Sequence, residues 1–355
     1  MGKIININQK VFDINEVKSK IPSVYTIVFF SPVEWIDEIG LEISKFYTNS
    51  IGSSSANNIT KDYTEYNSVS FLGIKCTDVK LCLLNDITHK MISYYNEIAD
   101  FKEIYKKDHS ILLEFTDGLS SYEESVLTVI SNELPGIPLI GASAGDNTSF
   151  TETKVCVNGV CSTNSTALCL LTTDLYIETY CENIYEPTKN TGFITDSDLF
   201  ERRINTINNI PATKFYCNAL GISESEISHN FMEHPIIRID GSQYFIASPQ
   251  GFEGTSLKCY SRPFTHSFIS ICKPIDYISL WEDISTRNRK DNKYLGGIFV
   301  NCLFRTMRFS KDHSLPDFQK YLSTFGEFIC ITSYGEQFNE YHANQTMTCC
   351  LFRES

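Results

Sequence analysis

Apolar and polar positions fall in blocks along this chain, and the same block order occurs three times. The first block opens on an apolar run, Tyr25 to Phe30, the pattern of a strand covered on both faces. Ser31-Pro32-Val33-Glu34 follows, a capping box with proline at the first helical position. Ile36, Ile39, Ile43 and Phe46 then recur at helical spacing, and Ile51-Gly52-Ser53-Ser54-Ser55-Ala56-Asn57 closes the block. The second block runs from Ile111–Phe115 through two overlapping capping boxes in Ser120-Ser121-Tyr122-Glu123-Glu124. Its helical face is Val126, Val129, Ile130 and Leu134. After Pro135-Gly136 comes a short strand and the turn Gly141-Ala142-Ser143-Ala144-Gly145-Asp146-Asn147. The third is looser: a strand at Ile298–Val300, then a helix from Ser314-Leu315-Pro316-Asp317 with Phe318, Tyr321, Leu322 and Phe325 inward. A strand at Phe328–Ile331 and the turn Thr332-Ser333-Tyr334-Gly335-Glu336 complete it.

Each block thus reads strand, capped helix, strand, glycine- and serine-rich turn. The spacing suits a crossover between neighbouring parallel strands. These patterns predict an α/β (mixed α+β) fold, with repeated strand-helix-strand units forming helix-covered mixed sheets in two halves, residues 22–210 and 211–352. Between the second and third blocks, 196–207 and 213–220 read as helices, the latter stopped by Gly221. Ile236–Asp240 and Gln243–Ala247 read as a hairpin around Asp240-Gly241. A strand-rich patch runs from Ser256 to Cys272.

Charge and cysteine content narrow the functional classes. A formal net charge of −13 over 355 residues argues against nucleic acid and anionic membrane as partners. The one basic cluster, Arg287 to Lys293, is interrupted by Asp291 and reads as solvated loop. No apolar stretch approaches the ~20 residues of a membrane helix, and the first residues lack a signal-peptide core. None of the 13 cysteines stands in a C-x-x-C pair; most lie in apolar runs such as Leu81-Cys82-Leu83 and act as small core residues. A reduced, cytoplasmic setting is expected.

Candidate chemistry is densest from Tyr334 to Thr346, where a glycine turn, a carboxylate, a histidine, an amide and a hydroxyl precede the apolar run Met347–Phe352. Arg305 follows the apolar run Phe299–Phe304; once buried it needs a partner, Glu336 or a ligand carboxylate. His342 has three candidate roles: a structural histidine held by Glu336 or Asn344, a donor to a carboxylate ligand, or a haem ligand. No two histidines stand at metal-ligand spacing, so no metal centre is expected. Gly141-Ala142-Ser143-Ala144-Gly145 matches the G-x-S-x-G pattern of a nucleophile elbow. That elbow needs a following helix, whereas Asp146–Thr151 is turn-rich. Asp240 and His342 would have to serve as the later acid and base.

Together these residues resemble the FIST domain, a sensory module with N-terminal and C-terminal halves. The N-half resemblance rests on Val28-Phe29-Phe30-Ser31, on Ile51 to Ala56, and most on Gly136 to Asp146. The C-half resemblance rests on Cys302-Leu303-Phe304-Arg305, Tyr334-Gly335-Glu336 and His342 to Thr346. It spans about Tyr25 to Phe352. The resemblance implies a non-enzymatic sensor of a small ligand, an amino acid or related metabolite, with no cofactor expected. It also implies a separate signalling partner such as a histidine kinase, diguanylate cyclase or chemoreceptor. A haem-binding nitric-oxide sensor using His342, and a hydrolase using Ser143, stand as alternatives. One departure is Ala56-Asn57-Asn58 where the family carries Ala-Gly-Glu, which removes a glycine and a carboxylate. The expected ligand pocket is lined by Arg305, Tyr334, Glu336, His342, Asn344 and Thr346, with Ser143 and Asp146 of the 141–147 turn closing it. Arg305 would take a carboxylate and Glu336 an amino group.

Overall fold

A computed structural model describes residues 3–240, 243–291 and 293–354. Each of the three blocks is a parallel crossover. Thr26–Ser31 pairs in parallel with Ser50–Ser54 across the helix Ile36–Ser44. Ser110–Thr116 pairs with Leu139–Ser143 across the helix Glu123–Glu133. Tyr294–Cys302 pairs with Glu327–Ser333 across two helices, Leu303–Lys311 and Leu315–Leu322. Ile36, Val126 and Phe318, the inward positions of the helical patterns, are completely buried.

Local details differ from the sequence pattern. Ser31 ends its strand, its hydroxyl donates to the Pro32 carbonyl, and the helix begins at Ile36 with no side-chain cap. Phe46 lies past the end of that helix and is exposed. Residues 196–207 are not helical: Tyr185–Asp198 and Arg203–Ile207 pair antiparallel. The β-branched residues Ile194, Ile204 and Ile207 there are buried in one cluster, the irregular pairing between Ile204 and Ile207 bringing both to it. The basic cluster is no loop; Arg287 to Asp291 continue the helix Tyr277–Asp291. The Asp240-Gly241 turn lies outside the described residues, but the strands Ile236–Asp240 and Gln243–Ala247 pair antiparallel. Cys156 and Cys161 form a disulfide, and the other eleven cysteines are thiols.

The chain forms two compact units. The first runs to Glu182, resumes at Ile278–His342 and again from Met347; the second comprises Asn183–Tyr277 and Ala343–Thr346. In the second, antiparallel strands carry Ile194, Ile204, Ile269 and Ile271 against the helix Ala212–Leu220, which Gly221 ends in the left-handed conformation at φ +70°.

The first unit holds the three crossover sheets, all extended alike. Beside the first parallel strand lies an antiparallel one: Val69–Ile74 in sheet one, Ser165–Thr172 in sheet two, Thr346–Arg353 in sheet three. Beside the second lies a hairpin strand lent by another block. The hairpin after the first turn (Asn57–Ile59, Thr64–Glu65) joins sheet three. The hairpin after the second turn (Val155–Val157, Val160–Ser162) joins sheet one. The hairpin after the third (Gly335–Phe338, Tyr341–Ala343) joins sheet two. The exchange is cyclic, so no block completes its own sheet.

The turns close a matching ring of backbone hydrogen bonds. Ala56 N–H donates to Thr332 O at 2.9 Å, Tyr334 N–H to Ser143 O at 3.0 Å, and Gly145 N–H to Ser54 O at 3.1 Å. In every turn the donor stands two residues after the acceptor. A Cβ on Gly145 would lie 2.7 Å from the Ala56 nitrogen, so the ring needs glycine there. The core inside draws on all three sheets, among them Phe30 and Ile51, Phe115 and Ile140, and Val300 and Ile331.

Candidate functional site

The hairpin Gly335–Ala343 packs between the sheet-two edge and the helix Glu123–Glu133. Its register sets Gly335 opposite Ser143, Glu336 opposite Ala142 and Gln337 opposite Gly141. Side chains alternate between faces, so Glu336 shares the face of the core residue Ala142, while Gln337 and Gly335 share that of Ser143.

On the helix side the polar groups interlock. Gln337 Nε2 donates to Ser143 Oγ at 3.0 Å, and the Ser143 hydroxyl donates to Glu123 Oε1 at 3.2 Å. The next residue, Glu124, places Oε1 3.3 Å from His342 Nδ1. The far side of that imidazole packs on Gly335, where any side chain would collide with it. Glu114 is wholly buried and accepts from the Thr116 hydroxyl. Burial pushes its carboxyl up to about 8 against that hydrogen bond; Glu123 adds to the rise and His342 opposes it.

Glu123, Glu124 and His342 bring three ligand atoms within 4.8 Å of one another. A nitrogen and two carboxylates suit a divalent cation. A search for paired histidines overlooks this set, and its sequence signal, adjacent glutamates at a helix start, reads first as capping.

The other expected residues are placed as follows. Arg305 is buried, with Nη2 2.5 Å from Glu182 Oε1, Nη1 donating to Glu182 O at 3.2 Å and Nε to Asn301 Oδ1 at 2.9 Å. Tyr321 and Trp281 also donate to the Glu182 carboxylate. Arg305 and Glu336 are therefore not paired; Glu336 accepts from the Ser333 hydroxyl at 2.9 Å. Tyr334 donates to the Asp146 carboxylate, accepts from Thr148 N–H at 3.0 Å and stacks on Phe150. Asp146 also receives N–H groups from Phe150, Thr151 and Glu152. Burial opposes its charge, yet the Tyr334 hydroxyl and those N–H groups hold it below the usual range. It thus anchors its own loop. Asn344 and Thr346 belong to the second compact unit, where Asn344 N–H donates to Ile246 O at 3.3 Å.

The haem reading meets a poor fit. The His342 side chain is 2% exposed, with Nδ1 turned to Glu124 and Nε2 against Gly335, which leaves no face for a macrocycle. After Ser143 the chain makes a turn and loop rather than a helix, and Ser143 is itself buried.

A groove of about 320 Å³ opens along the same hairpin at the other end of the helix. The helix lends Ile130 and Ser131 and its C-cap Leu134, the hairpin tip lends Asn339 and Glu340, and Ile137 and Thr179 are also in the wall. The size suits a small ligand. Asn339 adopts φ +54° and clamps the tip to Leu139, donating N–H to Leu139 O at 2.9 Å and accepting Leu139 N–H at 3.2 Å.

Two family models match: the FIST N domain over residues 25–210 and the FIST C domain over 212–339. No curated protein matches the sequence. The two matches cover most of the chain, which therefore belongs to the FIST family, whose domains are associated with sensing and signal transduction.

Proposed function

We propose that this protein is a non-enzymatic, cytoplasmic sensor of a small metabolite bearing an amino group, an amino acid or a relative of one. It passes its signal to a separate effector of the histidine kinase, diguanylate cyclase or chemoreceptor kind. The supporting observation is the groove between the helix Glu123–Glu133 and the lent hairpin. Its wall offers Ile130, Leu134 and Ile137 to an apolar side chain and Glu340 to an ammonium group, and among the described residues its lining includes no lysine or arginine. Among the described residues no helix is long and apolar enough to cross a membrane.

A ligand there would touch an element of block three resting on block two, so binding would change how firmly the blocks are joined. A ligand shifts such an equilibrium only by its differential affinity for the two states. Calorimetric titration with a panel of amino acids and amines tests the reading. Leu134→Arg, which fills the groove, should abolish binding, and Glu340→Gln should weaken it about tenfold, the loss of roughly 1.4 kcal/mol. Binding that survives both changes would place the ligand elsewhere; no binding by any member of the panel would remove the proposal.

A further inference from the structure

The lent hairpin of sheet one carries the one disulfide among the described residues, Cys156–Cys161. Three observations set it apart from a structural staple. First, it closes a loop with a sequence separation of only 5. That hairpin already has a two-residue turn in which Asn158 and Gly159 both take positive φ, 47° and 82°, the type I′ geometry that favours hairpins. It is also paired along Ser50–Ser54. Short loops gain least from cross-linking. Second, the two residues are unequal: Cys156 is fully buried, whereas Cys161 is partly exposed. An external thiolate therefore has its approach from the side of Cys161. Third, the eleven remaining cysteines are thiols, so the chain as a whole is compatible with a reducing environment.

The ground beneath the pair is also specific. Gly40 sits inside the helix Ile36–Ser44, where glycine is a poorer helix former than alanine. A Cβ there would lie 2.6 Å from Cys156 Sγ and 3.0 Å from Cys161 Sγ. The Ile36 carbonyl of the same helix lies 3.4 Å from Cys161 Sγ, placed to accept from a Cys161 thiol.

We propose that Cys156–Cys161 is a redox-active site that cycles between disulfide and dithiol, reduced by a dithiol through Cys161. A thiolate of the reductant attacks Cys161 Sγ; the protein S–S bond breaks, and Cys156 leaves as a thiolate and takes up a proton. The second thiol of the reductant, as thiolate, attacks its own sulfur in the mixed disulfide. This expels Cys161 as a thiolate, which is then protonated. The reductant departs as its disulfide, and two electrons and two protons have passed to the protein. Two separate thiols occupy more room than a bonded pair. Reduction therefore presses the hairpin away from the helix at Gly40, giving a second input distinct from the groove.

The test uses the native, full-length protein purified without reductant. Alkylation and mass spectrometry after denaturation should count eleven thiols, with the missing pair mapped to Cys156 and Cys161. Dithiothreitol under native conditions should raise the count to 13, and a mild disulfide oxidant should restore the same pair. Cys156→Ser should trap a mixed disulfide on Cys161 with a small thiol such as glutathione, whereas Cys161→Ser should leave Cys156 unmodified. Thirteen thiols at the outset, or reduction only after denaturation, would overturn the proposal. Equal trapping on Cys156 and Cys161 would refute the directional attack.

Discussion

Glu114 Oε2 and Gln337 Oε1 both border the space a side chain on Gly141 would fill, and neither oxygen has a hydrogen-bond partner. Burial lifts the Glu114 carboxyl to about 8, so below that pH it carries a proton and no uncompensated charge. Below the ordinary carboxyl value of 4.5 both folded and unfolded chains hold this proton. Between 4.5 and 8 the unfolded chain gives it up and the folded chain keeps it, so the unfolded state binds fewer protons. The contribution of Glu114 is therefore fully present at low pH and is lost as the pH rises toward 8. Glu114→Gln should match the native protein near pH 5 and gain on it steadily to pH 8, as read from melting temperature. Parallel melting curves across that range would contradict the assignment. Arg305 shows how far such detail is legible in sequence. The apolar run before it announces burial and the need for a partner, but the partner, Glu182, lies 123 residues away and bears no local mark.

The three crossovers were legible because each combines an apolar run, a helical face and a glycine turn, three signals that agree. What the sequence conceals is where punctuation fails. The strand Tyr294–Cys302 passes straight into the helix Leu303–Lys311 without proline or glycine between them, so the end of the strand and the start of the helix read as one run, Phe299–Phe304. The S-x-x-E boxes mislead in the other direction: at Ser31 the serine is held in the sheet, and the helix starts later. Pairing between blocks has no local signal at all, since strand partners are chosen by packing. Gly335 makes one such pairing testable. A side chain there would meet His342 and the Ser143 hydroxyl, and forced overpacking costs about 1–3 kcal/mol. In Gly335→Ala, amide exchange should accelerate across residues 335–343 while Val69–Ile74 in sheet one keeps its protection. Unchanged exchange in the hairpin would mean the site has slack.

In the first compact unit, both family-matched segments contribute strands to common sheets. The fragment 1–210 would lack Gly335–Phe338 and leave the edge at Leu139–Ser143 open. It would also lack Tyr294–Cys302 and Glu327–Ser333, the parallel pair of sheet three. An uncovered edge is a template for association. That fragment should aggregate when expressed alone, and supplying residues 211–355 in the same cell should rescue it. A soluble, monomeric fragment would show that the exchange is dispensable.

The cyclic exchange also sets a timetable on the ribosome. The hairpin Asn57–Glu65 is made long before its seat, Glu327–Ser333, emerges. At about 5–20 residues per second, the wait is on the order of tens of seconds. Through that interval a nascent hairpin must neither pair wrongly nor attract another copy. Its strands carry Asn57, Asn58, Thr64 and Glu65 around a single apolar residue, Ile59. That makes it a poor nucleus for aggregation. The first lent element is thus well suited to wait, and the last, Gly335–Ala343, follows directly on the ring donor Tyr334 and completes the groove.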